Sequence, residues 1–162
     1  MARSLHPWAQ DYFDQGLRFL FAFNNRESYR AFRKAASEAE DDGIPCSACY
    51  WAQALVLGLD LNLPTELEPD RQKAKDMLRR AAKANPNPED WEIINALTGR
   101  YQDCKKSDTK KECQRAHNQA YYDGMERGGS SPLCFTNWNP LRPLTATTGR
   151  SYLLPLTRQM PI

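Results

Sequence analysis

The chain has little of what would mark it for a membrane, a nucleic acid or a catalytic role. Its longest apolar run, Phe19 to Phe23, is far too short to cross a bilayer. The start, Met1 to Gln10, has a basic residue but no apolar core and no small-residue cleavage site, so a secretory signal is not expected. Charge of one sign is missing too. The 22 basic residues meet 20 acidic ones, and a net charge of +2 leaves no footprint for nucleic acid. No glycine-rich phosphate loop occurs, and the only histidines are His6 and His117, so no serine, histidine and carboxylate cluster is indicated. Beyond Gly128 there is no acidic residue at all.

What is present is helical. With 41% hydrophobic and 26% charged residues over 162 positions, the composition is that of one globular domain large enough to bury a core, and a cytoplasmic protein is the expectation. From Trp8 onward Trp8, Tyr12, Leu17, Leu20 and Phe21 recur at helical spacing, with Phe13 and Phe19 widening the stripe. Asn24-Asn25 breaks this helix and caps a second, from about Arg26 to Ala39. Cys46 to Leu57 forms a third, alanine-rich on one side and aliphatic on the other. A fourth runs from Asp70 to Ala84, stopped by Asn85-Pro86, and a fifth from Pro88 to roughly Tyr101. The sixth spans Thr109 to Glu126, with Cys113, Ala116, His117, Ala120 and Tyr121 on its apolar side. Leu59 to Pro69 reads as a proline-rich inserted loop. Residues 128–162 open on a Gly-Gly-Ser-Ser-Pro linker and read as an irregular or disordered tail, in which Tyr152 to Leu156 is an apolar strip able to dock or to bind a partner.

Six helices with short connections make three consecutive antiparallel hairpins. Within them, Gly16, Phe19, Ser28, Phe32 and Ala35 occupy the small, aromatic, small, large and small places of a tetratricopeptide repeat, and Ala74, Leu78, Ala81 and Pro86 hold the last four places of a second. The chain therefore resembles the tetratricopeptide repeat family over residues 8–126. The stretches around Tyr12-Phe13, Ala22 to Ser28 and Cys46-x-x-Cys49-Tyr50-Trp51, with Asn62, are similar to members of undefined biochemical role, although Asn25 and Ala52 replace their usual histidine and glycine. Ser28 and Ala74 stand further apart than the repeat period of about 34 residues, the excess lying in Asp41 to Pro45 and Leu59 to Pro69.

The resemblance implies a short right-handed all-α solenoid that acts as a non-enzymatic scaffold, taking a protein or peptide in a helical groove. The groove positions it assigns are Phe13, Leu17, Cys49, Gln53 and Val56, which are not the lysines and asparagines that clamp a peptide carboxylate. No cofactor, nucleic acid or membrane is expected, and an uncapped sixth helix could drive self-association.

Chemistry has one main candidate in the sequence. Cys46-x-x-Cys49 has the spacing of a zinc half-site or a redox pair, and it defines the competing function of a small metal or thiol-redox accessory protein. Zinc would need two more ligands, which Cys104 and Cys113 could supply only if helices three, five and six converged. Cys104 and Cys113 flank a turn between helices, which permits a disulfide in an oxidising compartment. Five cysteines without a signal sequence favour free thiols. His117 lies at i+4 from Cys113 and is able to ligate a metal, but packing is the expectation there. The Lys105 to Lys111 and Arg79-Arg80-Lys83 clusters read as solvated faces.

Overall fold

The computed structural model describes residues 7–58, 68–104 and 107–127. They form six helices and, among the described residues, no strand: α1 (Pro7–Phe21), α2 (Asn25–Asp41), α3 (Ser47–Val56), α4 (Glu68–Lys83), α5 (Pro88–Arg100) and α6 (Lys110–Arg127). The all-α reading holds. Most of the expected boundaries fall within one or two residues. Most of the Leu59 to Pro69 loop and the whole 128–162 tail lie outside the described residues.

Local chemistry explains the helix ends. The Asn24 side chain accepts from the Glu27 amide at the start of α2, and the Asn87 side chain accepts from the Asp90 amide at 2.7 Å at the start of α5, where Pro88 occupies the first turn. Thr109 and Glu112 form a reciprocal capping box on α6. The Glu112 amide donates to Thr109 Oγ1, and the Thr109 amide donates to Glu112 Oε2 at 2.9 Å. The Thr109 hydroxyl, which donates to Glu112 Oε2 at 2.7 Å, and then the Thr109 amide hold the Glu112 carboxyl below its ordinary range. The turn beyond α2 holds Gly43, whose φ of +69° suits a residue without a Cβ, and the Ile44 amide closes it on the Ala39 carbonyl at 2.8 Å.

The helices pack in chain order. α1 lies on α2, α2 on α3, α3 on both α4 and α5, α4 on α5, and α5 on α6. Small residues set the closest crossings. Ser28 Oγ donates to the Gly16 carbonyl at 2.8 Å, and a Cβ built on Gly16 would meet the Phe32 ring at 2.6 Å. At the other end a Cβ on Gly124 would stand 2.7 Å from the Ala96 backbone. In the second hairpin Ala74, Leu78 and Ala81 are all buried, as their small, large and small order requires.

α3 is the buried centre. Ser47 to Val56 contains no charged residue, and Cys49, Tyr50, Trp51, Ala52, Gln53, Ala54 and Val56 are all buried. An uncharged, alanine- and aromatic-rich helix has no face that prefers water. Most of its polar groups are satisfied by neighbours, the buried Ser47 hydroxyl being the exception. Tyr101 Oη donates to the Ala54 carbonyl at 2.6 Å, and Gln53 Nε2 donates to the Cys49 carbonyl. Tyr50 Oη donates to Glu40, which also receives Arg80, and the Arg80 guanidinium lies 4.4 Å from the Tyr50 ring centre. Burial, then the Glu40 contact, pushes the Tyr50 hydroxyl up to about 12.

Trp51 ties α3 to α1 and α5. Its ring meets Phe13 edge-on at 6.2 Å, and its Nε1 donates to Asp90 Oδ1 at 2.7 Å. Burial raises the Asp90 pKa, while the Trp51 bond and the Asn87 contact oppose the rise. A carboxyl with a raised folded pKa contributes stability that is present at low pH and lost as pH rises through that value. Trp51→Phe removes one opposing bond and lifts the value further. The variant is therefore expected to lose about 1–2 kcal/mol at neutral pH and less near pH 4. Urea unfolding at the two pH values checks this, and an equal loss at both would sink it.

Candidate functional site

The five positions assigned to a groove do not make one. Phe13 and Leu17 on α1 keep partly exposed side chains packed on the core, but Cys49, Gln53 and Val56 are 0%, 2% and 6% exposed. The correction has a physical cause. α3 is covered by α2, α4 and α5, so the positions that a solenoid groove would expose are used for packing here. Gln53 alone reaches a surface recess, of about 490 Å³, between α2 and α4. Three of its four cations are paired, Arg30 with Glu27 at 3.2 Å, Lys34 with Glu38 at 2.5 Å and Arg80 with Glu40, which leaves Arg33 as the one cation of the recess outside these pairs. Arg80, expected on a solvated face, is thus a bridge between α4, α2 and Tyr50.

A larger groove, of about 610 Å³, lies between α4 and α5. Helical spacing builds it. Gln72, Lys75, Leu78, Arg79 and Ala82 line one wall, and Trp91, Ile94, Asn95 and Thr98 line the other. Leu78 and Ile94 are buried in its floor, while Trp91 is 42% exposed at one end. The other end is polar, closed by Gln102 and Asp103 of the turn after α5. Trp91 was not among the positions that the sequence pointed to. An aromatic residue at the rim of a helix pair was the signal available.

The cysteines stand differently from the free thiols expected. Cys46 and Cys49 are joined, with Cα atoms 5.2 Å apart, and so are Cys104 and Cys113, at 5.5 Å. The first pair closes because three residues of separation at a helix start bring both sulfurs to one side. Cys46 also caps α3, its Sγ accepting from the Cys49 amide at 3.0 Å. Both residues are buried, at 3% and 0% exposure, so a redox partner has no direct approach to either sulfur. Among the described residues, Cys46 and Cys49 do not join Cys104 and Cys113 in a four-thiolate cluster. Among the described residues, the group able to hold a metal is Cys104, Cys113 and His117.

That cluster sits where the turn after α5 meets the first two turns of α6. Cys104 is exposed, and Cys113 and His117 are buried. α4 holds the turn in place. The Arg71 guanidinium donates to the carbonyls of Tyr101 and Gln102, and Lys75 Nζ donates to Asp103 Oδ1 at 2.5 Å. Those contacts hold the Asp103 carboxyl below its usual range, Lys75 first. Burial, followed by the charges of Arg71 and Lys75, lowers the His117 pKa against the pull of Asp103, which favours the neutral imidazole near pH 7.

Comparison with protein-family models, curated proteins and solved structures yielded no match. No helix among the described residues is long and apolar enough to cross a membrane.

Proposed function

We propose that the protein is a non-enzymatic interaction scaffold of short, tetratricopeptide-like helical hairpins that takes an apolar anchor of a peptide or partner domain between α4 and α5. The single observation carrying this reading is the groove with Trp91 at its rim. A tryptophan left 42% exposed beside a floor of buried Leu78 and Ile94 is the kind of residue that dominates binding energy at interfaces. The polar end at Thr98, Gln102 and Asp103 would fix the direction of a bound chain. The hairpin-by-hairpin packing of α1 to α6 and the small residues at Gly16, Ser28, Ala74 and Ala81 support the repeat-like architecture.

Panning the purified protein against a random peptide phage library tests the proposal. Recovered peptides are expected to share an apolar or aromatic anchor. Trp91→Ala is expected to weaken them on the order of thirtyfold or more, the cost of losing an aromatic anchor. Absence of enrichment, or equal binding to the Trp91→Ala protein with unchanged helicity, would overturn it.

A further inference from the structure

We infer that Cys104, Cys113 and His117 form a zinc-class metal site that becomes available when the Cys104–Cys113 disulfide is reduced. The inference goes beyond the scaffold reading and does not depend on it.

The geometry carries it. The two sulfurs and an imidazole nitrogen all lie within 4.8 Å of one another, and His117 Nε2 is 3.4 Å from Cys113 Sγ. In a tetrahedral zinc site with Zn–S bonds of about 2.3 Å, the sulfurs stand about 3.8 Å apart. The His117 to Cys113 spacing is already near the edge length such a site requires. Only Cys104 needs to move, and it lies on an exposed turn.

His117 supplies the second argument. Its side chain is only 7% exposed, and the hydrogen-bond-range contacts of both ring nitrogens are to the same Cys113 sulfur, at 3.4 and 3.9 Å. Disulfide sulfur is a weak partner for a buried imidazole. A metal ion would give that nitrogen a strong one. Arg71 and Lys75 face the cluster from α4, but both are paired with Asp103, at 3.4 and 2.5 Å. Zinc with two thiolates and a neutral imidazole carries no net charge, so these cations do not oppose it strongly.

The chemistry balances with a dithiol as reductant. Its two thiols give two electrons and two protons to the Cys104–Cys113 bond and leave as a cyclic disulfide, and the protein gains two thiols. One Zn²⁺ then displaces both thiol protons to solvent and takes a lone pair from His117. With three protein ligands and an exposed side at Cys104, the fourth position falls to water.

Cobalt(II) titration of the full chain, reduced with a phosphine that is then removed without air, tests the site. Tetrahedral visible bands and sulfur-to-cobalt charge-transfer bands are expected to saturate at one equivalent. The oxidised protein should give no charge-transfer bands. His117→Ala is expected to lower affinity on the order of tenfold or more. His117→Cys, which keeps the ligand count, should retain binding with stronger charge transfer, so misfolding is distinguishable from ligand loss. Absence of thiolate bands in the reduced native protein would overturn the inference. So would bands of equal strength in a Cys104→Ser, His117→Ala double variant, since the metal would then sit on Cys46, Cys49 or Cys134.

Discussion

Phe32→Ala is expected to destabilise the protein by about 3–5 kcal/mol, a large share of the total stability of an ordinary domain. Phe32 is fully buried, and its ring lies 5.3 Å from that of Phe13 and directly over Gly16. Truncation leaves a cavity at the point where α1 crosses α2, bounded by helix backbone that cannot collapse freely. The converse change is also costly. Gly16→Ala forces a methyl to within 2.6 Å of the ring and is expected to cost about 1–3 kcal/mol through displacement of Phe32 or separation of the helices. Because both changes act on one contact, the double variant should lose less than the sum of the two. The new methyl occupies part of the space that the ring vacates. Denaturant unfolding of the two single variants and the double variant checks this. Strict additivity would show that the glycine and the ring do not share a contact.

That crossing was legible in the sequence because helical spacing, small residues and a large apolar residue all point to the same face. Helical spacing put Ser28 and Phe32 on one face of α2, and the small and large places of the repeat that the chain resembles set Gly16 of α1 against them. The boundary signals Asn24-Asn25, Asn85-Pro86 and Pro88 were equally local, so the helix ends could be read closely. The groove was not legible in the same way. Cys49, Gln53 and Val56 were assigned by the position they would hold in a repeat, and position does not report which helices cover α3. The better signal was the absence of charge from Ser47 to Val56, which already implies burial on every side. The Cys104, Cys113 and His117 cluster depends on a turn held by Arg71 and Lys75 from α4. The i+4 spacing of Cys113 and His117 was readable, but their meeting with Cys104 arises from tertiary packing.

The same turn leads to the second large effect. Cys104→Ser is expected to cost about 2.5–3 kcal/mol under oxidising conditions and to lower the melting temperature by on the order of 10 °C. The estimate follows from the unfolded chain, which gains the freedom of a loop closed at a sequence separation of 9. Cys104 is the residue to replace, because it is exposed and its loss removes the link without opening a core cavity. Hydrogen exchange should quicken first in the last turn of α5 and the first turns of α6, where the link holds the two helices together. Reductant should bring the native protein down toward the variant. Zinc then separates two kinds of stabilisation. At a hundred times its dissociation constant, a metal held only by the folded, reduced site returns about 2.7 kcal/mol, close to what the disulfide contributed. The reduced native protein should therefore recover its melting temperature with zinc, and Cys104→Ser and His117→Ala should not. Identical oxidised melting of native and Cys104→Ser protein would show that the link contributes nothing. Recovery in all three proteins would place the metal elsewhere. The expected pattern, loss on reduction and recovery only with an intact triad, makes the α5–α6 junction stable in either of two chemical states and weak between them.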